Sequence, residues 1–521
     1  MEAIELEEKR KQLEQNKQRR EKELIEKNKK EAQELADTTY LEGGCYEIME
    51  RAEEVAKNPT LSDYQKELID SMHINKNGSI SINQLRVGNA FLKEYSIINN
   101  ERFFYKYDDY NGIWEKATKQ TIRSIITRDL EEVCNYWSDS VSRSLSNYVF
   151  DKTYGNIVGD TFDQVFNKDP YMITFKNGTL DIETGEFHEG FCKDEYSTIA
   201  IPHNYINHDE KPLKTIGFLN MMIEDPEELL FIFQWIGYLL VKKYDIAKML
   251  FLVGDGGNGK STLIKLMTAI VGAENTSTVS MKSLVTNKFQ SALLYNKLFN
   301  TVADIGSDFF DDSSILKALT GDDHITIERK GENGFSYLNF AKMTYSCNKL
   351  PRFKDTTGGL QRRPIVLPLN KDFINLVKGS DMHINDILND EEELEKIIKY
   401  SADCFRRVVL NGKTFSESNA MIKAKNEWLC DDPLVDFIYE VFDVVESKNF
   451  HVEMSDFMKA YKDYCIDRNY KPMSQKNVVE AIKNNRELLN KGIIVSRLSN
   501  KGSKLKIQGI TKGEKYNWNK I

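Results

Sequence analysis

Residues 251–265 read FLVGDGGNGKSTLIK: an apolar run, a glycine-rich turn, a lysine, a serine and an amphipathic continuation. This order constrains the fold more than any other stretch, because it predicts a buried strand passing through a tight loop into a helix. Gly254 through Ser261 satisfies G-x-x-x-x-G-K-[ST], a phosphate-binding pattern. Its glycines allow backbone geometry and close approach denied to residues with a Cβ, so successive N–H groups can point at a β-phosphate. Lys260 is placed to span the β- and γ-phosphates and Ser261 to ligate Mg2+, while the following helix adds its positive end. Leu263, Leu266, Met267 and Ile270 give that helix one apolar face, and Gly272 is placed as its C-cap. Gly254, Asp255, Gly256, Gly257, Asn258, Gly259, Lys260, Ser261 and Thr262 are therefore the candidate nucleotide-binding residues.

A chain of 521 residues exceeds one core and predicts three or four domains. The first forty residues are dominated by Lys, Arg, Glu and Gln, which is not the pattern of a secretory signal. The most apolar helix candidate, 229–241, is interrupted by Gln234 and too short to span a bilayer. It opens Asp225-Pro226-Glu227-Glu228, an N-cap, a first-turn proline and acids on the helix dipole, so a buried helix is expected. These features predict a soluble, intracellular protein without a membrane partner. Seven cysteines without a C-x-x-C pair, and seven histidines without a ligand-type spacing, point to reduced structural thiols and no zinc site. Any metal should arrive with the nucleotide.

The net charge of -9 hides an asymmetry: residues 471–521 carry twelve Lys and Arg against three Glu, a local balance of +9, leaving -18 for the rest. A basic C-terminal module on an acidic body is a footprint of DNA contact. The predicted organisation is multidomain α/β. A charged helical arm (1–38) leads through a helical linker region (39–95) to an α+β domain (96–214), with FFYKYDDYNGIWEK and MITFKNGTLDIETGEFH as strand-and-turn segments. A phosphate-loop core (215–370), a helical lid (371–430) and a basic winged-helix-like domain (431–521) follow. In the last of these, 474–485 is the expected recognition helix and 497–506 the wing.

The residues after the loop narrow the chemistry. A buried strand over 298–303 ends at Asp304, where a carboxylate can hold Mg2+ or its water. Another, over 341–347, delivers Asn348 to the same sheet edge, where an amide can orient the attacking water or sense the γ-phosphate. Arg362 and Arg363 precede a further apolar strand, and a guanidinium suits developing phosphoryl charge. Asp108 and Asp109 are the acidic pair ahead of the glycine loop that could be read as a polymerase-type metal site, but an acidic turn before Asn111-Gly112 is the commoner cause of such a pair.

GDGGNGKST, the ADIG strand end, LTGDD, SCNKLP and GGLQRR, in that order within about 120 residues, resemble the superfamily 3 helicases of phages, plasmids and large DNA viruses. The segments upstream are similar to the domain preceding the motor in phage and plasmid primase-helicases and the poxvirus helicase-primase. PLVDFIYEVF and AYKDYCIDRNYKPMSQKNVVEAI look like that family's C-terminal DNA-binding unit. Replication initiators (Rep) of phage-related pathogenicity islands fall in the same group. The resemblance implies an AAA+ ring, usually a hexamer, that hydrolyses ATP with Mg2+ and moves 3' to 5' on single-stranded DNA in a bacterial cytoplasm. Forked DNA, origin duplex DNA and host replication proteins are the implied partners.

By that resemblance Lys260 and Ser261 hold phosphate and Mg2+, Asp304 is the Walker B acid and Asn348 is sensor 1. Arg362 or Arg363 completes a neighbour's site. A hairpin bracketing Arg329 and Lys330 grips DNA, with Lys317 a second DNA-binding candidate. Many relatives carry two adjacent acids where this chain has Ala303-Asp304-Ile305, so either Asp304 serves both Mg2+ and water, or Asp308 or another acid assists. The competing functions are a bifunctional helicase-primase and a nucleotide-dependent DNA-binding clamp that is not a motor.

Overall fold

The computed structural model describes residues 61–518, apart from 76–79, 101–103, 135–137, 158–161, 208, 307–308, 311–313, 329–333, 354–358, 381, 431–432, 446–449, 468–469, 498–504 and 514–517. The charged arm at 1–38, Asp308, Arg329, Lys330 and most of the expected wing thus lie outside the described residues. Packing divides the chain into two units, residues up to 168 with 192–198, and 169–191 with 199 onward. The α+β region expected over 96–214 is shared between them.

In the first unit, strands Ile97–Asn99, Phe104–Asp108 and Ile113–Lys116 form an antiparallel sheet in chain order. Burial alternates along the middle strand, which turns Tyr105 and Tyr107 inward. Trp114 donates its indole N–H to the Lys193 carbonyl at 2.9 Å and stacks on Tyr196, so it is a core side chain. Helices Asp63–Asp70, Gln84–Glu94, Lys119–Cys134 and Asp139–Thr153 enclose a core that includes Leu68, Phe91, Ile126 and Leu145.

The second unit is built on a parallel sheet of β1 (Met249–Val253), β2 (Thr276–Ser277), β3 (Phe299–Val302), β4 (Lys342–Cys347) and β5 (Pro364–Pro368). The strand order is β2-β3-β4-β1-β5, every neighbouring pair parallel. Strands covered on both faces read as continuous apolar runs, as β1 and β5 do. Helix α1 (Pro226–Leu240) begins as its sequence predicts, with the Asp225 carboxylate accepting the Glu227 N–H at 2.8 Å and Pro226 in the first turn. It is apolar on nearly every face and buried from Phe231 to Leu240.

Helix α2 (Lys260–Val271) leaves the glycine loop, buries Leu263, Leu266, Met267 and Ile270, and ends at Gly272 with φ 95°. Beyond β5 come α3 (Phe373–Lys378), α4 (Glu391–Leu410) and α5 (Asn419–Cys430). Helix α4 packs on α1, and α5 lies against β5. The segment expected as a lid over 371–430 is therefore mostly part of the layers around the sheet, and its first stretch alone reaches the glycine loop. The reason is the long apolar stripe of α4, with Leu394, Ile397, Ile398, Phe405 and Val408 buried.

The basic C-terminal segment has its own core. Helices α6 (Pro433–Val441), α7 (Met454–Asp467) and α8 (Gln475–Asn484) surround Phe437, Phe457, Tyr461, Val478 and Ile482. Strands β6 (Phe442–Val444) and β10 (Ile510–Lys512) pair antiparallel, and β7 (His451–Glu453), β8 (Ile494–Arg497) and β9 (Leu505–Gln508) form an antiparallel sheet in the order β7-β9-β8. Ser474 caps α8, which exposes Lys476, Glu480 and Lys483 on its outer face.

Candidate active site

Because all five strands run parallel, their C-terminal ends share one edge, and β1, β3 and β4 deliver the glycine loop, Asp304 and Asn348 to it. The chain leaves β1 for the far side of the sheet, returns through β3 and β4, then places β5 on the other flank of β1. Such a reversal opens a crevice outside the strand ends, the usual ligand position in open parallel sheets. Since β4 lies between β3 and β1, Asn348 stands between the acid and the loop.

Gly257 and Gly259 have φ of 85° and 88°, in the left-handed region that favours glycine. A Cβ on Gly254 would lie 2.1 Å from the Leu369 carbonyl oxygen. Lys260 donates from Nζ to the carbonyl of Gly254, to that of Asp255 at 2.8 Å and to Asn348 Oδ1 at 3.3 Å. Asn258 Nδ2 donates to the Lys371 carbonyl at 2.7 Å, and the Ile374 N–H to the Gly257 carbonyl at 3.1 Å, so the start of α3 is tied to the loop.

These residues line a cavity of about 650 Å³ that includes Gly256 through Thr262, Asp304, Ser346, Asn348, Phe373, Ile374, Val377, Lys378 and His383. That volume is in the range of small-molecule and cofactor sites. Ser261 and Asp304 bring hard oxygen donors to the same space, which fits a magnesium ion. Among the described residues no group of three or more His, Cys, Asp or Glu could hold a metal ion. Magnesium characteristically binds through one or two protein oxygens and keeps waters and substrate phosphates as its other ligands. Cys347, between Ser346 and Asn348, is buried, and burial pushes its thiol up to about 12, with Lys260 opposing and Asp304 adding to the rise.

Asp304 is exposed, with φ 58° and its N–H donated to Ser346 Oγ at 3.0 Å. Arg362 and Arg363 lie at the opposite edge, ahead of β5. A five-residue strand at about 3.3 Å per residue separates the two edges by roughly 17 Å. Arg363 is 7% exposed, and its guanidinium donates to the carbonyls of Gly359 and, at 3.1 Å, Lys317. Arg362 is exposed and its carbonyl accepts from Lys248 Nζ at 3.0 Å. Nearby Lys425 is half-buried, and burial together with the Lys248 charge holds its ammonium below the usual lysine range.

The segments around Arg329 and Lys330 pair as a hairpin, His324–Ile327 with Phe335–Leu338, in a register that sets Ile327 opposite Phe335. Tyr295 packs edge-on against Phe335 and Tyr337 of its second strand. Lys317 lies on the short helix Ser314–Leu319 just before it. Asp108 is occupied in its own turn, accepting from the Tyr110 N–H at 3.1 Å and Asn111 Nδ2 at 2.7 Å. Sequence reasoning passed over α3, His383 and Ser346. The apolar spacing of Phe373, Ile374 and Val377 signalled a helix, but nothing local showed that it would face the glycine loop.

Comparison with known proteins adds two domain matches. Residues 88–230 match a family described as D5 N terminal like, and residues 252–363 match a family of unknown function, DUF5906. The candidate helicase 121R of Invertebrate iridescent virus 3 is 24% identical over 229 residues, 41% of this chain and 24% of that protein. The candidate helicase L207/L206 of Acanthamoeba polyphaga mimivirus is 25% identical over 329 residues, 53% of this chain and 34% of that protein. The candidate primase C962R of African swine fever virus (isolate Warthog/Namibia/Wart80/1980) is 24% identical over 217 residues, 39% of this chain and 22% of that protein. The chain thus spans between about a fifth and a third of the length of these viral relatives. Among solved structures, the apo C-terminal region of NrS-1 aligns with 81% of this chain and 98% of its own at 14% identity, with a TM-score of 0.42.

Proposed function

We propose, for a chain that belongs to a helicase-primase-like family, that it is an ATP-dependent DNA helicase of the superfamily 3 AAA+ type acting as a ring, the hexamer that the family resemblance implies. The observation that carries this reading is the meeting of Lys260, Asn348 and Asp304 at one edge of the sheet while Arg362 stands exposed at the other. The first three form a phosphate site. The arginine is too far from that site to serve it, so it is assigned to the site of the next copy. Arg363 then has a structural role, bonded to carbonyls of its own chain, and Lys248 adds positive charge beside Arg362.

In this mechanism the glycine loop and the N-terminus of α2 receive the phosphates, and Lys260 exchanges its loop carbonyls for phosphate oxygens. Asn348, already within reach of that lysine, orients water or senses the γ-phosphate. Ser261 and Asp304 would hold magnesium, which when bound neutralises phosphate charge. Arg362 of a neighbouring copy stabilises charge on the transferring group, which ties hydrolysis to the relative position of two subunits. The hairpin between β3 and β4 carries Arg329 and Lys330 to single-stranded DNA, with Lys317 as a further contact and 3' to 5' as the implied direction. Grip on the backbone should be tolerant of sequence and sensitive to salt.

The C-terminal helices and three-stranded sheet support a winged-helix reading, with α8 toward origin duplex DNA and the β8–β9 connection as wing. The test is Lys260→Ala, assayed for ATP hydrolysis with and without single-stranded DNA and for strand displacement. Loss of both with an unchanged circular dichroism melt supports the proposal. ATP hydrolysis without unwinding by the wild-type protein favours the clamp, and undiminished unwinding by the variant refutes the site.

A further inference from the structure

Strand β4 is buried along its whole length, yet it carries hydroxyls at Thr344 and Ser346, two positions apart and so on one face. A polar group buried this way is retained where it is hydrogen-bonded. Thr344 accepts the Trp235 indole N–H at 3.0 Å, which ties the sheet to α1. Ser346, 1% exposed, has a different use. Its Oγ accepts the Asp304 N–H at 3.0 Å and its carbonyl accepts the Ile305 N–H at 2.8 Å, so one residue holds two consecutive N–H groups just past β3.

Asp304 needs such a hold. Its φ of 58° lies in the left-handed region, which non-glycine residues keep only where the surroundings over-determine it. The other non-glycine residues with positive φ among those described are Asn167, Tyr196, Asn296 and Lys413, none of which lines the cavity. The handedness of the backbone at Asp304 decides where its Cα–Cβ bond points, and hence where the lone acid of Ala303-Asp304-Ile305 presents its carboxylate.

We propose that Ser346 is the positioning residue for Asp304, fixing the left-handed turn that aims the carboxylate into the phosphate cavity. The sequence places no acid adjacent to Asp304, so the direction of this carboxylate bears on the metal and water chemistry of that corner. This inference rests on the nucleotide-site reading above.

The experiment combines Ser346→Ala with Asp304→Asn in a double-mutant cycle, reading kcat and KM for ATP, and Kd for a fluorescent ATP analogue in magnesium and in EDTA. Ser346→Ala should lower kcat about tenfold, the size of one lost orienting hydrogen bond, with KM and the EDTA Kd within about twofold of wild type. In the Asp304→Asn background it should cause no further loss, because it acts through that carboxylate. Ser346→Thr, which keeps the hydroxyl, should restore kcat. Ser346→Cys, close in shape and a weaker acceptor, supplies the same comparison if the alanine variant melts early. A wild-type kcat in Ser346→Ala, or an equal loss in the Asp304→Asn background, overturns the proposal. Failure of the wild-type protein to bind the analogue, or undiminished binding by Lys260→Ala, overturns the underlying nucleotide-site reading instead.

Discussion

Lys260 donates to two carbonyls of its own loop and to Asn348, so the cation that would meet phosphate is already held by groups a phosphate can replace. That arrangement lowers the cost of keeping an ammonium ready at the cavity. A second cationic residue shows the opposite use. Lys413 pairs with Asp245, whose side chain is 8% exposed and also accepts from Tyr171 OH. Burial works against the Asp245 carboxylate, but hydrogen bonds from Lys413 and Tyr171 outweigh it and hold its pKa below the ordinary value. For a carboxyl with a depressed pKa, the stabilisation is full above the unfolded value and is lost as pH falls through the folded one. Asp245→Asn should therefore lower stability by about 1–2 kcal/mol at pH 7, discounted because Lys413 is 41% exposed. Urea midpoints should show that deficit undiminished at pH 5 and shrinking below the ordinary carboxyl pKa. A deficit that grows on acidification would contradict the pairing.

At the scale of elements, the capped helices were the most legible part of the chain. Asp225-Pro226 opens α1, Ser474 opens α8, and Gly272 closes α2 where turn chemistry placed them. The sheet order was not legible, because strand neighbours are fixed by long-range packing that no local pattern encodes. The same gap left Arg362 and Arg363 indistinguishable until β5 was placed, when one turned inward and its neighbour outward. Gly237 shows how tight the packing is. A Cβ there would lie 2.2 Å from the Ser401 carbonyl oxygen and 2.5 Å from Phe405 Cβ, so α1 and α4 approach as only a glycine allows. Gly237→Ala should cost about 1–3 kcal/mol, and a thermal melt equal to wild type would contradict that contact. The hairpin from His324 to Leu338 is expected to separate grip from hydrolysis. Lys330→Ala should preserve basal ATP hydrolysis and lose strand displacement, whereas equal loss of both would remove the hairpin from the DNA path.

For the whole molecule, the charge asymmetry and the two sheet edges fit one design. An acidic body carries the glycine-loop cavity and a basic C-terminal module has a balance of +9 over 471–521; in the proposed ring, one copy would supply only half of the catalytic groups. The division follows from strand direction, since β1 and β5 are parallel and the residues before β5 face away from the loop after β1. The central claim is that the site is shared between copies. It is tested by mixing Lys260→Ala protein with Arg362→Ala protein and measuring ATP hydrolysis with single-stranded DNA. Each variant alone should be inactive. Equal mixing should restore up to roughly a quarter of wild-type activity, because an intact loop then meets an intact arginine at that fraction of interfaces. Arg362→Ala protein that hydrolyses ATP normally, or mixed rings that recover nothing, would contradict it.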